Sequence, residues 1–187
     1  GVGSPDSTDG MVEIIHGASL ANLIEQQGNQ TWTSFLSPWG SLDADFGTSI
    51  AVDDLNGDGY ADIVIGAPYA DEGNLLAMNG GAIYVIYGQE SLKINTYSKF
   101  GSDGAYIPYD YGQSIQFFEL FSEFPDAQMG DAVTVGDFNG DGYMDYATSM
   151  HGVSLNGLDD SGIVVIALGN VAGMPFVQVV IGGSDTD

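Results

Sequence analysis

Nine residues, Asp54-Leu55-Asn56-Gly57-Asp58-Gly59-Tyr60-Ala61-Asp62, carry oxygen-bearing side chains at positions 1, 3, 5 and 9 and a glycine at position 6. A near copy follows at Asp137-Phe138-Asn139-Gly140-Asp141-Gly142-Tyr143-Met144-Asp145. In a short loop folded round a hard cation, side-chain oxygens at odd positions turn inward and position 7 offers its backbone carbonyl. Glycine at position 6 permits the sharp turn between the two halves. The expected ligand sets are Asp54, Asn56, Asp58, the carbonyl of Tyr60 and Asp62, then Asp137, Asn139, Asp141, the carbonyl of Tyr143 and Asp145. The expected ion is Ca²⁺, one per loop, because Mg²⁺ resists dehydration and prefers a smaller octahedral site. Each string read alone is also an ordinary Asn-Gly/Asp-Gly turn. Two copies with the same spacing favour the metal.

Both strings are flanked by apolar segments of strand character. Phe46 to Val52 leads into the first loop and Asp62 to Pro68 leaves it; Met129 to Val135 leads into the second and Asp145 to His151 leaves it. Each loop is therefore expected at the tip of a β-hairpin. Gly47 and Gly130 each stand seven residues before the first ligand of their loop. Three glycine-bracketed apolar runs of one length, Gly10 to Gly17, Gly81 to Gly88 and Gly162 to Gly169, read as strands buried on both faces. Self-similarity at 71 to 83 residues, measured from Gly10 to Gly81 and from Asp54 to Asp137, points to repeated β-sheet units.

Further strands are expected near Thr31 to Leu36 and over Tyr111 to Phe118, while Ala18 to Gln27 has a weak helical look without a convincing cap. The aromatic-rich stretch from Ser91 to Gln128, with Tyr106, Tyr109, Phe117, Phe118, Phe121 and Phe124, reads as core filling. Gly3-Ser4-Pro5 matches Gly66-Ala67-Pro68, and Ile181 to Asp187 matches the lead-in at Phe100 to Asp103, so both ends are expected to fall inside a repeat. Strand edges left open there would pair with a neighbouring copy or repeat.

The charge balance narrows the partners. Twenty-six Asp and Glu face two basic residues, Lys93 and Lys99, for a formal charge of -24. Nucleic acid and anionic membrane surfaces are disfavoured, because cationic groups dominate phosphate binding. No segment approaches the ~20 apolar residues needed to span a bilayer, so membrane insertion is not expected. Hydrophobic residues make up 44% of the 187, enough to bury a core despite the charge. Cysteine is absent, which excludes disulfides and thiolate metal sites and leaves calcium as the natural cross-link. Asn29-Gln30-Thr31 is the one glycosylation sequon, making Asn29 a candidate glycan acceptor.

No catalytic constellation stands out, and the chain is not expected to be an enzyme. His16 occupies the strand position of Tyr87 in the next repeat and reads as packing; His151 lies within reach of acids such as Asp159 and Asp160. Gly57-Asp58-Gly59 is explained by the cation loop and needs no phosphate.

Phe46-Gly47, Asp54 to Asp62 and Gly66-Ala67-Pro68, in that order, resemble the FG-GAP repeat of the integrin alpha-subunit head. The second unit departs at Met129, where the aromatic would stand, and at Ser149-Met150-His151, where Gly-Ala-Pro would. EF-hands and dockerins open with a similar string but need flanking helices and an acidic position 12; Ile65 and Thr148 stand there, so Asp62 and Asp145 must close the loops. The resemblance implies an all-β fold of antiparallel four-stranded blades, β-propeller-like or an open array completed between chains. It implies a partial blade and connector at 1–44, a complete blade at 45–100 and a diverged blade, with the start of a further repeat, at 101–187. It also implies an extracellular or cell-surface module for adhesion, with a protein or glycan ligand. The alternatives are a structural protomer of a surface layer or filament, whose partners are copies of itself, and an accessory propeller of a larger secreted enzyme.

Overall fold

The computed structural model describes residues 11–15, 32–36, 44–71, 78–89, 97–98, 117–155, 157, 159, 161–170 and 176–180. Every regular element among them is a strand: β1 (Met11–Ile15), β2 (Trp32–Leu36), β3 (Ser49–Asp53), β4 (Asp62–Ala67), β5 (Ala82–Ile86), β6 (Tyr97–Ser98), β7 (Phe117–Phe121), β8 (Val133–Gly136), β9 (Asp145–Met150), β10 (Ile163–Leu168) and β11 (Phe176–Val180). They form three sheets, ordered β1-β2-β6, β3-β4-β5-β7 and β11-β10-β9-β8. The two four-stranded sheets are antiparallel throughout. In the first sheet β2 pairs with β6 in parallel.

The hairpins expected around the two loops form in matching register. Asp53 pairs with Asp62 at the end of the β3–β4 ladder, and Gly136 pairs with Asp145 at the end of β8–β9. Both loops are thus hairpin tips. The edge strand beside β5 is β7, which starts six residues after the expected Tyr111–Phe118 and ends three after it; residues 111–116 lie outside the described set. Two strands, β6 and β11, carry no glycine bracket and were not expected. Ala18 to Gln27, Asn29, His16, both lysines and the repeat fragments at the two ends also lie outside the described residues.

The middle sheet is a layer between two others. Val64, Ile83, Val85 and Tyr87 on one of its faces meet Tyr146, Met150, Ile163, Val165 and Ala167 of the third sheet, with Leu55, Ala127 and Met129 filling the seam. On the opposite face Ile65, Ala67, Ala82, Tyr84 and Ile86 cluster with Phe46 and with Val12 of β1. Tyr84 stands edge-on to Phe46 and Phe121, at centroid distances of 5.3 and 6.0 Å. Strand β5 is therefore buried at every position, and each Val or Ile so covered contributes about 1.5–3 kcal/mol. Strand β10 is not. Its burial alternates, with Val164 41% exposed, because only one of its faces meets another described sheet. The expectation of two-face burial holds for β5 and fails for β10.

The seam between the middle and third sheets is closed by backbone. Met78, Asn79 and Gly80 give their carbonyls to the N–H groups of Asp126, Gln128 and Met129, at 2.8, 3.1 and 2.9 Å. Ser49 Oγ donates to the Gly130 carbonyl at 2.7 Å. That carbonyl lies so close to Gly66 that a Cβ on Gly66 would overlap it. The lead-in of the third sheet repeats that of the middle one: Gly47 N–H donates to Gly66 O at 2.9 Å, and Gly130 N–H to Ser149 O at 3.3 Å. Met129, 1% exposed, fills the place of Phe46, 3% exposed. The substitutions at Met129 and Ser149 thus leave the turn intact. Because the overlap at Gly66 is with backbone, Gly66→Ala should destabilise the fold by about 1–3 kcal/mol through overpacking. A urea midpoint within error of the wild type would contradict this seam.

Candidate metal centre

Each loop is drawn round the carboxylate of its first residue. Asp54 Oδ1 accepts from the N–H groups of Gly57 and Asp58, at 2.8 and 3.1 Å, and its Oδ2 accepts from Gly59 at 2.8 Å. Asn56 Oδ1 accepts from Asp58 N–H at 3.0 Å, while Asp58 Oδ1 accepts from Tyr60 N–H at 2.8 Å. Asn56 Nδ2 donates to Asp58 Oδ2 at 3.1 Å. These are the short-range side-chain-to-backbone bonds that Asp and Asn make in turns. The second loop repeats every one of them, through Asp137, Asn139 and Asp141, to within 0.2 Å. The turn at position 6 needs φ of +89° at Gly59 and +91° at Gly142, the left-handed region that costs glycine nothing.

Position 9 does something different. Asp62 is fully buried, and its two oxygens accept from two different segments: Oδ2 from Leu55 N–H at 2.8 Å and Oδ1 from Gly88 N–H at 2.7 Å. Asp145, equally buried, accepts from Phe138 N–H at 2.8 Å and Gly169 N–H at 2.9 Å. One carboxylate thus ties the loop's second residue to the glycine that ends the next strand. A Cβ on that glycine would overlap the backbone carbonyl of Ala61 or Met144, which is why the strand ends in glycine. Gly88, Gly169 and the amides of position 2 are the site residues that spacing alone did not single out. The glycine brackets, each closing its run at the same distance, were the available signal.

The structure places the expected residues unevenly. Asp54, Asn56 and Asp58 converge through the loop amides, as do Asp137, Asn139 and Asp141. Tyr60 and Tyr143 stand at position 7, their rings outside the loop's hydrogen bonds, with Tyr60 41% exposed. Among the described residues no group of three or more His, Cys, Asp or Glu is arranged to hold a metal ion. Three carboxylates do not meet at one point because the position-9 carboxylate is turned to backbone N–H groups; the remaining oxygens of each loop are amide and carbonyl. Burial nonetheless pushes the Asp62 carboxyl above its ordinary range. The Gly88 and Leu55 N–H groups pull it down, and the charges of Asp58 and Asp54 add to the rise. His151 approaches Asp131, at 3.8 Å with both side chains more than half exposed, rather than Asp159.

In chemical type, rather than in their present arrangement, the donors suit a hard cation. They are carboxylate, amide and carbonyl oxygens, and no lysine or arginine lies among the described residues to offset their charge. An ionised carboxylate has about four lone-pair sites, so Asp62 and Asp145 each retain acceptor capacity after binding two amides.

Layered sheets, two of them antiparallel and each with an acidic loop at a hairpin tip, define a repeat protein of the blade-building, all-β class. The FG-GAP repeat family matches residues 46–86, which span the lead-in, the first loop and β5. Chicken integrin alpha-V is 30% identical over 179 residues, 95% of this chain and 14% of that protein. Human phosphatidylinositol-glycan-specific phospholipase D is 30% identical over 132 residues, 70% of this chain and 14% of that protein. Human integrin alpha-7 is 35% identical over 86 residues, 46% of this chain and 7% of that protein. The chain belongs to the FG-GAP repeat, integrin alpha-like family and spans 14% or less of the length of these relatives.

Removing the Asp62 carboxylate while keeping the fold's shape tests the clamp independently of any metal. Asp62→Ala orphans two buried N–H groups, each worth about 1–3 kcal/mol, so urea unfolding in chelator should show a loss of about 3 kcal/mol. Asp62→Asn keeps one acceptor and should lose less. Equal stabilities for all three proteins would show that the clamp carries no weight.

Proposed function

We propose that this chain is a calcium-stabilised extracellular FG-GAP module for adhesion, binding a protein or glycan ligand. It is read as a non-catalytic module of a partial blade, a complete blade and a diverged blade; the complete blade, expected at 45–100, draws its fourth strand, β7, from beyond that bound, while β6 at 97–98 pairs in the first sheet. The observation that carries the reading is the repetition of one loop, bond for bond, at two hairpin tips. Each acid has backbone amides to accept, and gathering three of them in one nine-residue loop, twice, raises a repulsion that a cation would offset.

Calcium would be held by Asp54, Asn56, Asp58, the Tyr60 carbonyl and Asp62, and by Asp137, Asn139, Asp141, the Tyr143 carbonyl and Asp145. The bound ion would supply positive charge that no lysine or arginine among the described residues provides. The chain's own contribution is to preorganise the donors: loop amides fix the first three, and the buried clamp fixes the fifth. Asp58 and Asp141 are exposed, so each loop opens to solvent, as suits the weak affinities of extracellular modules. Cysteine is absent from the 187 residues, so in an extracellular setting calcium would take the place that disulfides commonly fill. Beside the loops, Tyr60 and Phe138 present exposed rings, 41% and 48% accessible, of the kind that anchor protein or sugar ligands.

Exhaustive chelation should lower the melting temperature by about 10 °C or more, given two sites loaded well above their dissociation constants. Ca²⁺ should restore it. Asp58→Ala and Asp141→Ala should each remove about one calcium per chain, counted by titration calorimetry. Melting curves that coincide with and without chelator would overturn the metal reading. Retention on an immobilised protein or glycan panel that is lost in chelator would support the adhesive role.

A further inference from the structure

The two loops are built alike but are not placed alike. Gly57, at position 4 of the first loop, has the Tyr143 ring of the second loop against it, 3.4 Å from where a Cβ would sit. Gly140, at position 4 of the second loop, has nothing within 4 Å of the same point. The rings differ accordingly: Tyr143 is half-buried and Tyr60 is exposed.

A second link runs through backbone. Gly169, whose N–H is held by Asp145 at 2.9 Å, lies with its Cβ direction 3.0 Å from the carbonyl oxygen of Leu55. Leu55 is position 2 of the first loop, and its own N–H is held by Asp62. The position-9 clamp of the second loop therefore abuts the residue gripped by the position-9 clamp of the first. Leu55 and Tyr146 also share the core between the sheets. The first link joins the two loops directly; the second reaches Leu55 of the first loop from Gly169, which the second loop holds through Asp145.

We propose that Tyr143 is a positioning residue for the first loop, and that cation binding at the two loops is coupled through it. This rests on the reading of both loops as calcium sites. The backbone of Tyr143 is position 7 of its own loop, so ordering that loop fixes where its ring stands. The ring then braces the Gly57 turn, whose φ of +73° would otherwise be set by the Asp54 hydrogen bonds alone. Filling the second loop pre-orders the first, which then loses less conformational freedom on binding. By linkage the effect is reciprocal: calcium in the first loop raises the affinity of the second by the same factor.

The experiment is a calcium titration of the 187-residue chain followed by amide resonances, Gly57 and Gly59 for the first loop, Gly140 and Gly142 for the second. Ca²⁺ alone is the probe. In Tyr143→Ala the first-loop midpoint should move to about fivefold higher calcium, the lower end of usual coupling. Tyr143→Phe keeps the ring and should titrate like the wild type. Asp141→Ala, which disables the second loop, should shift the first-loop midpoint in the same direction as Tyr143→Ala. If both loops titrate in the wild type and neither Tyr143→Ala nor Asp141→Ala moves the first-loop midpoint, the coupling is wrong and the calcium reading stands. If no glycine amide responds to calcium in the wild type, both are wrong. A first-loop shift in Tyr143→Phe equal to that in Tyr143→Ala would also overturn the role of the ring.

Discussion

The architecture depends on a buried carboxylate shared between two backbone amides. In the middle sheet Asp62 joins Leu55 N–H, at the start of the loop, to Gly88 N–H, where β5 leaves the sheet. Asp145 does the same for Phe138 and Gly169. Hydrogen bonds to a charged acceptor are the strong kind, and those of Asp62 satisfy two amides that burial would otherwise leave unpaired, while those of Asp145 are part-buried. The clamp fixes three strands at one end: the hairpin pair through the loop and the third strand through its terminal glycine. With those ends fixed, the faces of β4 and β5 cannot slip by one residue, which would turn the apolar set of Val64, Ile83 and Val85 away from the third sheet.

The geometry of the clamp explains why the position is aspartate. Two N–H donors approach from different directions, and each needs its own acceptor. Asparagine offers one acceptor oxygen and two donor hydrogens, so one of the amides would face a donor. Serine is too short to span them. The cost of the choice is a buried negative charge near two others, visible in the upward push on the Asp62 carboxyl. In a chain with formal charge -24, repulsion of this kind is general, and two divalent cations would offset four charges where repulsion is most local. The structural role of Asp62 and its proposed role as a ligand are therefore compatible in capacity: two amides hold the carboxylate, and it keeps lone pairs beyond those two bonds.

Much of this was legible in the sequence, and the limits have physical causes. The loop residues, their hairpin setting and the strands that flank them follow from turn chemistry and apolar runs, which are local. The glycine brackets located β1, β5 and β10 for the same reason. Strand β11 was missed because Phe176 to Val180 has no bracket and no loop beside it, and β6 because two residues carry no period. The partner of β5 was the hardest to see. Phe117–Phe121 lies beyond a long excursion, and only tertiary pairing decides which part of an aromatic stretch becomes the edge. The position-9 role was half legible. Elimination of position 12 assigned closure to Asp62, but its bonds to Leu55 and Gly88 are long-range facts that spacing does not contain.

Strands β5 and β10 show most directly where sequence pattern stops deciding structure. Both are glycine-bracketed apolar runs of one length, and both are central strands of four-stranded sheets. Ile83, Val85 and Tyr87 correspond in the repeat to Val164, Ile166 and Leu168. The first three are covered by the third sheet; of the second three, Val164 is exposed and the others are only partly covered. Nothing in the runs themselves separates them, since the face in question is apolar in both. What differs is whether a further sheet lies against it. Burial in a stacked repeat is a property of position in the stack, and the apolar pattern records only the capacity to be buried. The same holds for the loops: identical hydrogen bonds at the two tips coexist with a Gly57 that has the Tyr143 ring near its Cβ direction and a Gly140 that has nothing there, because the second loop meets that side of the first and no described residue meets the corresponding side of the second.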